Sequence, residues 1–164
     1  MDINSLYKEM QPKIYAFFHI KTSNKEVAED LTQEVFFEAI KGGVKFSGES
    51  SIQTWLFAIA KNRLKKYYRS NKYKWNLLKK IPRSHPLQAS PEQDLLAKES
   101  KFHLLEKIEK LDDEPKEVVI LRMYGELSFK EIGSLLGISE NVARVTFHRA
   151  KLKLQKELEG YYVE

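Results

Sequence analysis

Hydrophobic positions recur along most of this chain at intervals of three and four, the spacing of one side of an α-helix. Leu6, Met10, Ile14 and Phe17 form the first such series, and Pro12 within it is expected to start or kink a helix. Ser23 and Glu26 have capping-box spacing before a second series, Ala28, Leu31, Val35 and Ala39, which Gly42-Gly43 should close. Ser50 and Gln53 repeat that spacing before a third series running through Ile52, Trp55, Leu56, Ile59, Leu64 and Tyr67. No stretch sustains the alternation of a strand, so the fold class expected is all-α.

The pattern breaks near residue 72. Lys72 to Pro91 carries Pro82, Pro86 and Pro91 among small polar residues and reads as a flexible linker. Helical spacing resumes with Leu95, Phe102, Leu105, Ile108 and Leu111. Pro115 then opens EPKEVVILRMYG, which should end at Gly125, and Ser128 with Glu131 caps SFKEIGSLLG. Two small helical domains are therefore expected, 1–71 and 92–164, joined by the linker 72–91.

The end of the second domain has the layout of a helix-turn-helix. Gly133 allows close approach of two helices, and Gly137 supplies the left-handed residue that ends one helix before a sharp turn. Ile132, Leu136 and Ile138 would fill the corner, and Ser139 would cap the second helix. Within that helix Ala143, Phe147, Ala150 and Leu154 form one apolar stripe, which leaves Asn141, Arg144, Val145, His148 and Arg149 on the other side. A recognition helix needs that division, one face to pack and one to offer donors to base edges and phosphates. Lys130, Lys151, Lys153 and Lys156 would add phosphate partners; alternatively the whole is a helical corner with a solvated basic face.

Charge sharpens the picture. Lys+Arg number 28 against 23 Asp+Glu, a net charge of +5, which suggests an anionic partner without naming it. The excess is concentrated: no acidic residue falls between Glu49 and Glu92, while Lys61, Arg63, Lys65, Lys66, Arg69, Lys72 and Lys74 do. A one-sign helix face forgoes i,i+4 pairing and repels itself, so a polyanion explains it better than solvation does. Asn62 sits among these cations and can hydrogen-bond a base; Tyr67, Tyr68, Tyr73 and Trp75 can stack on unpaired bases, although Tyr67 fits the core better. FSGESS, Phe46 to Ser51, can lie beside an extruded base or be an ordinary turn, and the residues alone favour the turn. On the second helix Asp30, Gln33, Glu34, Phe37 and Lys41 share the side opposite the apolar series. Such a face suits a basic protein partner, or else is a solvated acidic face with Phe37 tucked under a neighbour.

Several classes drop out. There is no Cys, which excludes disulfides and thiolate metal sites. The four His residues show no metal spacing, and no phosphate loop or nucleophile constellation is present, so neither a cofactor nor an enzyme is expected. No apolar run approaches the roughly 18 residues of a membrane span, and MDINSLYKEMQPK does not read as a signal peptide, so a cytoplasmic protein without membrane insertion is expected.

Three blocks, AEDLTQEVFFEA, FSGESSIQTWLFAIAKNRLKKYYR and LSFKEIGSLLGISENVARVTFHRAKLKL, taken in this order and spacing, resemble the extracytoplasmic-function (ECF) group of bacterial sigma factors. The resemblance implies a region 2 domain near 1–71 and a region 4 domain near 92–164. Together they would direct core RNA polymerase to promoters and assist melting. It further implies that Asp30, Gln33 and Glu34 meet the coiled coil of the β′ subunit, with the β flap a further polymerase contact. Phe46, Ser47 and Gly48 would hold a flipped base of the −10 element beside Asn62, and Lys61, Lys65, Lys66 and Arg69 would face the melting strand. Lys130, Arg144, Val145, His148, Arg149 and Lys151 would serve the −35 element. An anti-sigma factor is implied as a partner. Thr146 stands where the family is often basic, Gly133 where Ala is usual, and Lys116 where Arg is common. Fully stretched, the 20 residues of the linker would reach roughly 66–72 Å, about 20 base pairs of duplex. A second reading is a stand-alone helix-turn-helix regulator that binds duplex DNA without polymerase, usually as a dimer on symmetric half-sites; a third, a helical RNA-processing enzyme, has only the positive charge behind it.

Overall fold

The computed structural model describes residues 2–42, 46, 48–71 and 95–162. Ser47 and the linker Lys72 to Pro91, with Tyr73 and Trp75, lie outside the described residues. Among those described there are seven helices and no strands. The chain divides into two compact units, Met1–His85 and Pro86–Glu164.

The first unit is built from α1 (Ile3–Thr22), α2 (Lys25–Gly42) and α3 (Ile52–Ser70), each packed on the other two. The apolar series read from the sequence supply its core. Met10, Ile14, Phe17 and Phe18 of α1, Ala28, Leu31 and Val35 of α2, and Leu56, Phe57, Ala60 and Leu64 of α3 are buried. Phe17 meets Phe57 edge-on with ring centroids 5.8 Å apart. Each of the larger of these side chains, Val, Leu, Ile, Met or Phe, fully withdrawn from water contributes about 1.5–3 kcal/mol, so the amphipathic pattern rather than helix propensity holds the bundle. The buried Thr22 and Thr32 satisfy their hydroxyls on the carbonyls of Phe18 (2.7 Å) and Ala28 (2.6 Å) one turn back.

Two local expectations need correction, and one is narrowed. Ser23 does not open α2; it ends α1 in the left-handed conformation (φ 54°), and the side chain of Asn24 accepts from the Val27 N–H at 3.1 Å instead. The cap of α3 is likewise one residue later, where Ser51 accepts from the Thr54 N–H at 3.1 Å. Pro12 lies inside α1, which begins at Ile3 with Asp2 as its cap.

The second unit comprises α4 (Leu95–Glu109), α5 (Asp113–Met123), α6 (Phe129–Leu136) and α7 (Glu140–Tyr162). α7 packs on all three of the others. Val118, Val119, Ile120 and Leu121 of α5 are buried all round, with Ile108, Leu111, Leu127 and Ile132 beside them and Ala143, Ala150 and Leu154 closing the core from α7.

Candidate nucleic-acid interface

The corner between α6 and α7 is set by backbone chemistry. Gly137 adopts φ 72°, ψ 30° and returns its N–H to the Gly133 carbonyl, and the Ile138 N–H bonds the same carbonyl at 3.0 Å. A Cβ on Gly133 would stand 2.7 Å from the Ile138 carbonyl oxygen, closer than real Cβ atoms come, so the corner needs glycine there. The capping box of Ser128 and Glu131 fixes the start of α6, and Ser139 accepts from the Val142 N–H at 3.0 Å to start α7.

That geometry turns Asn141, Arg144, Val145, His148, Arg149 and Lys151 outward, all exposed, with Lys130 exposed near the start of α6. Phe147 is half-buried against Phe129, their centroids 5.6 Å apart. Two of the cations have neighbours that the sequence reading missed. Arg144 Nη2 donates to Glu140 at 3.0 Å, and its guanidinium lies 5.5 Å from the centre of the Phe129 ring. Arg149 borders a cleft with Asp112, Glu114, Pro115, Thr146 and Lys153. The spacing from Glu140 to Arg144, one helical turn, could have revealed the first; the second needs the fold.

In the first unit the cations of α3 form a surface. At 100° per residue, Lys61, Lys65, Arg69, Asn62 and Lys66 fall within an arc of about 140°. All are exposed except Lys61, which is half-exposed. Arg63 departs from that surface: its Nε donates to Glu38 of α2 at 2.6 Å, and its Nη1 lies 3.8 Å from Glu34. Tyr68 also turns away from solvent, its hydroxyl donating to the Lys21 carbonyl at 3.0 Å, whereas Tyr67 lines a groove between α2 and α3 with Leu31, Glu34, Arg63 and Lys66. Before α3, the half-exposed Phe46 stands against Trp55 with ring centroids 5.2 Å apart, and Gly48 has φ 78°.

α2 exposes Asp30, Gln33 and Glu34, with Phe37 60% exposed beside them. Phe37 is not tucked under a neighbour; Lys41 Nζ sits 4.4 Å from its ring centre. No described helix is long and apolar enough to cross a membrane.

Comparison with known proteins accounts for both units. Residues 6–73 match the Sigma-70 region 2 family and residues 102–154 the Sigma-70, region 4 family. The chain is 35% identical to the RNA polymerase sigma factor YlaC of Bacillus subtilis (strain 168), over 95% of this chain and 91% of that protein. It is 30% identical to the ECF RNA polymerase sigma factor SigW of the same organism, over 96% of this chain and 87% of that protein. Its fold is that of the sigma factor RpoE crystallised with the anti-sigma factor NepR from Bartonella quintana (TM-score 0.76, 20% identity, 95% of this chain and 96% of that one). With a region 2 bundle, a region 4 helix-turn-helix and ECF relatives aligned over nearly its whole length, the chain belongs to the ECF group of RNA polymerase sigma factors.

Proposed function

We propose that this sigma factor divides its work among three surfaces. The exposed acids of α2 engage core polymerase, α3 and the turn before it engage the −10 element, and α7 reads the −35 element. The observation that carries this division is the segregation of charge, with Lys65, Lys66 and Arg69 exposed on α3 and Asp30 and Glu34 exposed on α2.

Asp30, Gln33 and Glu34 offer acceptors to the basic side of the β′ coiled coil, and Phe37 adds apolar area to the same patch. On α3, each of Lys61, Lys65, Lys66 and Arg69 that neutralises a phosphate of the opened strand makes binding more salt-sensitive, by about 0.7 in log–log slope for single strands. Asn62 has both a donor and an acceptor for an unpaired base. Phe46, Ser47 and Gly48 complete the capture of a flipped base at the start of α3, so melting is driven by binding energy and no covalent chemistry is required. On α7, Arg144, Val145, His148 and Arg149 face the major groove of the −35 element while Lys130 and Lys151 take phosphates. Domain boundaries at 1–71 and 92–164 leave residues 72–91 as a tether. Holding both readers on one polymerase raises the effective concentration of each. The β flap is a second polymerase contact, an anti-sigma factor is a partner that masks these surfaces, and the setting is the cytoplasm.

The test is run-off transcription with core polymerase on a pool of genomic promoters, paired with gel shifts with and without core. The reading expects initiation at a defined set of promoters and weak duplex binding by the chain alone. Tight, unaided binding to palindromes by a dimer, with no initiation, would favour the stand-alone regulator; membership of the sigma family argues against that outcome.

A further inference from the structure

Arg144 is held from two sides, which a simple phosphate contact would not require. Glu140, one turn earlier on α7, accepts from its Nη2 at 3.0 Å, although both side chains are about half exposed (50% and 52%). Phe129, from α6, brings its ring centre to 5.5 Å from the same guanidinium. The ring is itself fixed. Arg122 of α5 lies 4.3 Å from its centre and donates from Nη1 to the Leu127 carbonyl at 3.0 Å, and Phe147 meets it from α7. Three helices thus converge on the orientation of one guanidinium.

A carboxylate at that distance works against phosphate binding, because it neutralises the cation and repels the incoming anion. Lys130 and Lys151, by contrast, show no ion pair among the described residues, as suits cations left for a backbone. What the carboxylate and the ring do provide is direction. A guanidinium whose Nη2 is engaged and whose central carbon stands 5.5 Å from a ring centre still has donors to offer away from both neighbours. The major-groove edge of guanine, with its O6 and N7 acceptors, is the natural ligand for such a fork. Ordering the side chain in advance also removes the entropy that a free arginine loses on binding.

We propose that Glu140 and Phe129 are positioning residues that make Arg144 a reader of one guanine in the −35 element. This rests on the assignment of α7 to that element and adds the base and the residues that enforce it.

The experiment uses the full chain with core polymerase on a −35 element chosen by run-off transcription. Each guanine is replaced in turn by 7-deazaguanine, which lacks the N7 acceptor and leaves charge and pairing intact. The wild-type holoenzyme is expected to lose about tenfold in affinity at one position. Arg144→Lys, which keeps the charge without the fork, should flatten that ratio to near one. Glu140→Ala and Phe129→Leu should each reduce it to about threefold or less, and Phe129→Tyr, which keeps the ring, should restore it. A thermal melt of each variant separates lost positioning from lost folding, and the ratio is internal to each protein. Initiation with no guanine responding in the wild type, or equal losses on all sequences in the Glu140 and Phe129 variants, would overturn the inference while leaving the promoter reading intact. A wild-type holoenzyme that initiates nowhere would remove both.

Discussion

Arg63 of α3 and Glu38 of α2 are joined by a hydrogen bond of 2.6 Å, and Glu34 stands 3.8 Å from the same guanidinium. The pair marks the border between the acidic face of α2 and the basic face of α3, and it withdraws one cation from the latter. Because Arg63 and Glu38 remain 29% and 41% exposed, solvent screens the attraction, and Arg63→Ala or Glu38→Ala should cost about 0.2–1 kcal/mol in urea unfolding. Arg63→Ala should also lower the salt slope for −10 strand binding by holoenzyme less than Lys66→Ala does. A larger effect from Arg63 would place it among the strand contacts.

The corner of the helix-turn-helix makes a sharper prediction. Gly133→Ala would press a methyl group to 2.7 Å from the Ile138 carbonyl oxygen and 3.2 Å from the Glu140 nitrogen, both backbone atoms of the turn. The helices must then separate, at a cost of about 1–3 kcal/mol. Gly137→Ala meets no neighbour but must hold φ 72°, which costs about 1–2 kcal/mol. Thermal unfolding of the full-length variants measures both. A Gly133→Ala variant as stable as wild type would mean that the corner is looser than its backbone distances imply.

The helices and their buried sides were legible because burial imposes a period on the sequence: Ala28, Leu31, Val35 and Ala39, or Ala143, Ala150 and Leu154, can share a side only if the segment is helical. The caps at Ser128 and Ser139 were legible to the residue, the other two only to within one. Ser23-Asn24 and Ser50-Ser51 each offer two adjacent capping side chains, and the choice depends on where the preceding chain leaves the backbone. Glycine at 133 and 137 was readable because a residue without a Cβ allows a tight approach and adopts a left-handed turn at least cost. Side-chain pairing across elements was not. Arg63 and Glu38 are 25 residues apart, and nothing local distinguishes Arg63 from Lys65 until α2 and α3 pack. Nothing in the sequence marks Phe129, and its place between Arg122 and Arg144 requires all three helices.

On the polymerase-facing side, replacing Asp30 and Glu34 together with Lys should abolish transcription and core association while leaving the bundle folded, since both side chains are exposed. Glu34→Lys also sets a second cation beside Arg63, which still keeps Glu38. Glu34→Gln with Asp30→Lys is the milder control and should weaken core binding without that repulsion. Circular dichroism and pull-down of core enzyme check the two halves of the claim. Normal association by the double Lys variant would remove this face from the interface.

Acid should loosen the first turn of α1 before it affects the bundle. The Ser5 hydroxyl, donating at 2.7 Å, and the Asn4 N–H at 3.1 Å hold the Asp2 carboxyl below its ordinary range. A carboxylate whose folded pKa is depressed stabilises the fold fully above its unfolded pKa and loses that contribution as pH falls through the folded value. The cap is therefore intact at neutral pH and begins to be lost only as pH falls below the ordinary aspartate value of 3.8 and on through the depressed folded one. The Asn4 amide shift, followed by NMR on an acid titration, should move in that window as the hydrogen bond to Asp2 is lost, and Asp2→Ala should abolish the transition.

Arg149 differs from Arg144 in its surroundings, and its substitution should differ accordingly. It projects at the rim of the exposed face of α7, beside a cleft that also contains Asp112, Glu114 and Lys153, and no aromatic ring buttresses it among the contacts described. The nearby carboxylates oppose a phosphate, which favours a base edge at the end of the groove contact. Arg149→Ala is then expected to cost about 1–3 kcal/mol at one position of the −35 element and little elsewhere, as for a base reader. A promoter library read out by run-off transcription resolves this position by position. A uniform loss across the library, with the salt slope reduced by about one, would instead make Arg149 a backbone contact and leave sequence discrimination to Arg144, Val145 and His148.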